Sequence, residues 1–283
     1  MLLTPGQILK SRYRIVNVIR IGGMSQVYMA TDLRGDIFFA IKVATSTNDE
    51  ERRAFEREAR TLRALNHQGL PGFVEIFNKG KRQYLVMKFV AGTDLDRIRT
   101  RQRPILYPDE VIDWTGQALD TLEILHKQQP PVIHRDIKPA NLRLTPDGRV
   151  VLLDLGLAKG VASQLREDQP SKSFQAYTRD YASLEQINGD GTDERSDLCS
   201  LGTTAYHLMT NMKPQNALKR ASALAVGKSD PLRLACEINS QVPEAVAHVL
   251  HRAMSLNPQE RPQTAAEMRA LLREASLIAK RDK

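Results

Sequence analysis

The sequence predicts an α+β fold, on two hydrophobic periodicities and one turn signal. Short runs of apolar β formers recur at residues 39–42, 84–90 and 150–153, whereas apolar residues at helical spacing recur at 49–65, 246–253 and 268–272. Thr145, Pro146, Asp147 and Gly148 mark a tight turn between two short strands. At 283 residues the chain is long enough for one domain with a sizeable core, and no internal repeat divides it.

Along the chain, Gly22 and Gly23 mark a hairpin turn between expected strands. Phe39, Ala40, Ile41 and Lys42 form a strand carrying a lysine near its end. From about Asp49 to Leu65, Phe55, Ala59, Leu62 and Leu65 build the apolar stripe of a helix against charged faces that include Glu51, Glu56 and Glu58, with Thr47 or Asn48 as cap. Residues Tyr84 to Val90 read as a buried strand running into a glycine turn at Gly92. Val150 to Leu153 end in Asp154 and Gly156 follows, as in a buried strand that delivers a carboxylate to a cleft. Val246, Val249, Leu250 and Ala253, then Met268, Leu271 and Leu272, are core positions of two late helices. His248 and His251 lie in the first of these without acid or cysteine partners at ligand spacing, and read as surface histidines.

Within His134, Arg135, Asp136, Ile137, Lys138, Pro139, Ala140 and Asn141, a carboxylate, a lysine and an amide stand at the spacing phosphoryl transfer uses. Asp136 can accept a hydroxyl proton and Asn141 can hold a metal ion. Asp154 follows thirteen residues after Asn141, and the turn at 145–148 returns it to the same place. Asn141 and Asp154 offer hard oxygen ligands suited to Mg²⁺ on nucleotide phosphates.

These motifs resemble those of the protein kinase superfamily, and the chain looks like a bacterial Hanks-type, eukaryotic-like serine/threonine kinase over residues 10–273. The resemblance implies a two-lobed fold: a small β-rich N-lobe with one key helix (about 10–87), a hinge at 88–92 and a larger, mainly helical C-lobe (about 93–273). A basic tail at 274–283 follows. It implies that Lys42 reaches the α and β phosphates, that Glu58 orients Lys42, that Asp136 is the base and that Lys138 stabilises the transferring group. Nucleotide contacts fall on Gly22, Gly23, Ser25, Val27, Ala40, Lys42, Met87 as gatekeeper, Lys88 and Val90 in the hinge, Asn141 and Asp154. Arg143 takes the position of the adenine floor. ATP and Mg²⁺, with Mn²⁺ as its substitute, are the implied cofactors.

The same resemblance makes 154–185 an activation segment with Ser163, Ser171, Ser173, Tyr177 and Thr178, in which a phosphate on Ser171, Ser173 or Thr178 pairs with Arg135. It pairs Glu185 with Arg261 and sets Asp197 to brace the catalytic loop. Lys138 and Thr178 match serine/threonine kinases, so protein Ser and Thr hydroxyls are the expected acceptors, with autophosphorylation of the segment. Departures are Arg20 and Ser25 where the family has glycines, Lys88 where it has an acid, and Leu184 where it has a proline. Arg20, Lys88 and Leu184 keep a second reading open, a pseudokinase scaffold that binds nucleotide without efficient transfer. A small-molecule kinase fits the motifs less well.

The net charge of +8 is spread over helices and loops rather than gathered in a basic, aromatic stripe, which argues against nucleic acid as partner. Two cysteines form no disulfide framework and suit a reducing cytoplasm. No apolar run approaches the ~20 residues that span a bilayer, so no membrane segment is expected within the chain. Protein substrates and self-association of the kinase domain are the expected interactions.

Overall fold

The computed structural model describes residues 2–22, 25–35, 37–44, 48–102, 106–155 and 179–281. Its contacts divide the chain into two units, Met1–Ala91 and Gly92–Lys283.

Among the described residues, the first unit is an antiparallel six-stranded sheet with one helix. Its strands are β1 (Ile8–Leu9), β2 (Tyr13–Ile21), β3 (Ser25–Asp32), β4 (Phe38–Ala44), β5 (Phe73–Lys79) and β6 (Arg82–Lys88), in the order β1-β2-β3-β4-β6-β5. The register follows from which side chains must be buried. Tyr28, Ile41 and Val86 lie opposite one another across three strands, and with Tyr13, Ile15, Phe39, Val43 and Tyr84 they form the core of one face. Because successive side chains alternate between faces, the next rank, Val27, Lys42 and Leu85, points the other way. The edge strand β5 is tied to the far end of the sheet: its Glu75 accepts from Tyr13 Oη on β2 and from Lys10 Nζ in the β1–β2 turn.

Helix α1 (Asp49–Ala64) begins at Asn48, whose side chain accepts from Glu50 N–H at 2.8 Å, with Asp49, Glu50 and Glu51 in its first turn. Both features satisfy a helix N-terminus, its free amides and its positive dipole end. Thr47, the other cap expected from sequence, lies outside the described residues. Ala54, Phe55, Glu58, Ala59 and Leu62 are the buried side of α1, so a carboxylate sits within the apolar stripe.

The second unit contains a small sheet, β7 (Thr93–Asp94), β8 (Leu142–Leu144) and β9 (Val150–Leu152), in that order, and a set of helices. Between β8 and β9 Gly148 N–H donates to Thr145 O at 3.0 Å with Gly148 at φ +80°, so the turn expected from sequence is formed. Gly92 has φ +116°, and a Cβ there would stand 2.1 Å from Leu144 O, so only glycine fits beside this sheet.

Helices α2 (Pro108–His126), α3 (Leu184–Asn188), α4 (Glu194–Thr210), α5 (Ala217–Ala225), α6 (Glu244–Ala253) and α7 (Ala265–Arg281) follow. Helix α4 is buried on all sides from Ser196 to Thr210. Such a helix must satisfy its own polar groups, and Ser200, Thr203 and Thr210 donate to carbonyls one turn back at 2.8–3.1 Å. A capping box of Asp193 and Ser196 starts α4, and Asn211 at φ 52° ends it. Residues 274–281, read from sequence as a tail, continue α7 instead, because Ala275 is buried along its stripe with Met268 and Leu272.

Candidate active site

The two units each carry a cluster of the residues singled out in the sequence. In the first, Lys42 stands on β4 with Val27 and Leu85 as cross-strand neighbours. Its Nζ lies 2.7 and 2.8 Å from the two carboxylate oxygens of Glu58 on α1. Both residues are buried, at 7 % and 5 % exposure. A buried ammonium is tolerable only when paired, and here one carboxylate embraces it with both oxygens.

Gly22 N–H donates to Ser25 O at 2.9 Å and closes the β2–β3 hairpin. The register slips between Val18 and Arg20, leaving Arg20 opposite Val27. Gly23 lies outside the described residues. Ala40 pairs with Met87, which is 6 % exposed. Lys88 N–H donates to Gly72 O at 2.8 Å and Phe89 N–H to Phe38 O at 3.3 Å, so recognition of a base through 88–90 cannot use these two amides. The stem of Lys88 lies along Gly72, where an added Cβ would come within 2.9 Å of Lys88 Cδ.

In the second unit the loop from His134 to Asn141 is held from below by α4. Asp197 Oδ2 accepts from His134 N–H at 2.7 Å, and its Oδ1 accepts from Arg135 N–H at 2.9 Å. His126 Nε2, at the end of α2, stands 3.0 Å from the same Oδ2. These bonds hold Arg135 at φ 63°, a left-handed conformation that is costly for a side-chain-bearing residue. Gln186 Nε2 on α3 donates to Arg135 O at 2.7 Å, and Arg135 Nε donates to Thr192 Oγ1 at 2.7 Å.

Asp136 is oriented from both sides. Lys138 Nζ lies 3.0 Å from its Oδ1, and Asn141 Nδ2 donates at 2.8 Å both to its Oδ2 and to its main-chain oxygen. With its nitrogen so engaged, the Asn141 amide oxygen is the atom suited to a cation, which fits the donor chemistry Mg²⁺ requires. Leu153 N–H donates to Asn141 O at 2.8 Å, extending the β8–β9 ladder by one step. Asp154 is the next residue and is left-handed at φ 56°, a second strained position in the same cluster. Arg143 stands on β8 opposite Asp94 and Val151.

Glu185 and Arg261 form a bidentate pair at 2.7 and 3.0 Å, with Arg261 completely buried and further bonded to Ser255 O and Leu256 O. Burial alone would raise the Glu185 pKa, but the Arg261 hydrogen bonds and charge outweigh it and hold the carboxyl down at about 2. Close by in sequence, Tyr181 Oη and His207 Nδ1 are 2.7 Å apart, both buried. Burial first, then the charges of Arg99 and Lys213, push His207 down to about 4. His207 is therefore neutral at ordinary pH, and its ring shares a buried hydrogen bond with the Tyr181 hydroxyl.

Ser171, Ser173 and Thr178, expected as regulatory positions, lie outside the described residues. His126, Gln186, Thr192 and the Tyr181–His207 pair were not singled out in the sequence. His126 had a signal, a helix-terminal histidine eight residues before His134, whereas the others carry none without the fold.

Residues 13–272 match the protein kinase domain family. The chain is 33% identical over 282 residues to the serine/threonine-protein kinase PknB of Mycolicibacterium smegmatis, covering 95% of this chain and 43% of that protein. It is 30% identical over 276 residues to PrkC of Bacillus subtilis, covering 95% and 41%. The chain thus spans less than half the length of these curated relatives. Among solved structures, the kinase domain of Mycobacterium tuberculosis PknI superposes with a TM-score of 0.72 at 24% identity, over 97% of this chain and 100% of that one. The apo form of PpkA-294 does so with 0.78 at 23%, over 96% and 99%. At these identities the two structures speak to the two-lobed kinase fold alone. The chain belongs to the protein kinase domain family, in its bacterial Hanks-type serine/threonine branch.

Proposed function

We propose that this protein transfers the γ-phosphoryl group of ATP to serine and threonine hydroxyls of proteins. The observation that carries this reading is the orientation of Asp136, whose two carboxylate oxygens meet Lys138 and Asn141 while Asp197 grips the loop backbone beneath it.

Asp136 orients the acceptor hydroxyl and takes its proton as the hydroxyl oxygen bonds to the γ-phosphorus. The bond from that phosphorus to the β–γ bridging oxygen breaks, and ADP leaves with the electron pair. Lys138, already beside Asp136, balances negative charge on the transferring group. Lys42, held by Glu58, binds the α and β phosphates, with Gly22, Gly23, Ser25, Val27, Ala40, Met87, Lys88 and Val90 completing the nucleotide contacts. Asn141 and Asp154 would hold the divalent ion, Mg²⁺ or Mn²⁺, which when bound neutralises phosphate charge. Little covalent chemistry falls to the protein, so acceleration comes from positioning and fixed charge.

In the same reading, residues 10–273 are the catalytic domain, and Arg135 answers phosphate added at Ser171, Ser173 or Thr178. The protein acts in the cytoplasm on protein substrates and associates with its own kind through the kinase domain. The test is incubation with labelled ATP, Mg²⁺ and a generic protein acceptor. Transfer by the parent is expected, with loss in Asp136→Ala and Asp154→Ala. Nucleotide-dependent stabilisation without transfer would instead mark a scaffold.

A further inference from the structure

The face of the six-stranded sheet that carries Lys42 also carries a buried amide with no part in the chemistry above. Gln83 on β6 is 1 % exposed, and its Nε2 donates to Glu56 Oε1 on α1 at 2.6 Å. Its Oε1 is buried with no hydrogen-bond partner among the described residues. An orphaned buried carbonyl is destabilising, and a leucine of similar size would avoid that penalty. Glu56 is exposed and has water available, so the bond is not needed to solvate it. What the bond does is fix a distance between β6 and α1.

The register shows why that distance matters. Lys42 pairs with Leu85, and Gln83, two residues earlier on β6, shares the face of Leu85. Glu56 and Glu58 are two apart on α1 and therefore project about 200° apart around the helix axis. The Gln83–Glu56 and Lys42–Glu58 bonds grip opposite flanks of one helix, so rotation of α1 in either sense lengthens one of them. We propose that Gln83, acting through Glu56, is a positioning residue that holds α1 in the rotation at which Glu58 meets Lys42. Its consequence for catalysis rests on the kinase reading, whereas its consequence for the helix rests on geometry.

The test is a mutant cycle read by initial rates in ATP, thermal midpoint and hydrogen exchange of the α1 amides. Gln83→Leu and Glu56→Ala are each expected to lower kcat/KM for ATP about fivefold to tenfold, the scale of one ordinary hydrogen bond, as suits a pair whose acid is exposed to solvent. Exchange of the α1 amides is expected to quicken, and the midpoint of Gln83→Leu to stay at or above the parent value. Glu56→Gln keeps an acceptor oxygen and is expected to retain parent rates, and the double variant is expected to lose no more than either single one. Parent rates and exchange in Gln83→Leu would overturn the proposal, as would additive losses or activity that falls only together with the midpoint. If the parent itself transfers no phosphate, the kinase reading fails, and the exchange measurements still decide whether Gln83 holds the helix.

Discussion

Replacing Glu185 by glutamine isolates the charge in its ion pair with the fully buried Arg261. The carboxyl sits at about 2 in the folded protein against an ordinary value of 4.5, and its side chain is only 17% exposed. A shift of that size corresponds to about 3 kcal/mol of stability at neutral pH, from 1.36 kcal/mol per pH unit. The pKa is depressed on folding, so this stabilisation is fully present above about pH 4.5 and fades as the pH falls toward 2. Urea unfolding of parent and Glu185→Gln across pH should therefore show a gap of about 3 kcal/mol near neutrality that narrows below about pH 4.5. A gap that is absent near neutrality, or that stays constant down to about pH 3, would refute the reasoning.

Three further outcomes follow from the same structure. Gly92→Ala, whose Cβ would meet Leu144 O at 2.1 Å with φ at +116°, should destabilise by about 3 kcal/mol or more in a denaturant melt. His207, lowered to about 4 from 6.5, is protonated in the unfolded chain first, so its neutral burial contributes stability above about pH 6.5 that is lost as the pH falls toward 4. That loss, up to about 3 kcal/mol in parent melts, should vanish in His207→Phe. Asp197→Asn removes the charge that accepts from His134 and Arg135 N–H, and should lower kcat about a hundredfold while leaving nucleotide affinity within about twofold in a binding titration.

Legibility in the sequence tracked how local each cause is. The 134–141 loop, the 145–148 turn and the Asn48 cap are set by residues within a few positions of one another, and spacing exposes them. Lys42, Glu58, Glu185 and Arg261 were placed through family resemblance, and the structure brings each pair within hydrogen-bonding distance. Gln83–Glu56 and Tyr181–His207 could not be read, because each joins elements whose register is decided by packing across the sheet or along a helix buried on all sides. His207 is a polar residue on a helix with no exposed face, so amphipathic periodicity, the signal that normally separates core from surface, is absent there. The basic tail named from the sequence is helical as far as Arg281, and the buried Ala275 shows the apolar stripe persisting into it.

Mass-spectrometric mapping of phosphosites after incubation with ATP and Mg²⁺, on the parent and on Asp136→Asn, tests the central claim most directly. Phosphoserine and phosphothreonine in the parent, within its own 154–185 segment and on an added protein acceptor, with neither in the variant, is the expected result. A parent that binds nucleotide yet leaves every serine and threonine unmodified, or a variant modified to the same extent, would contradict the account.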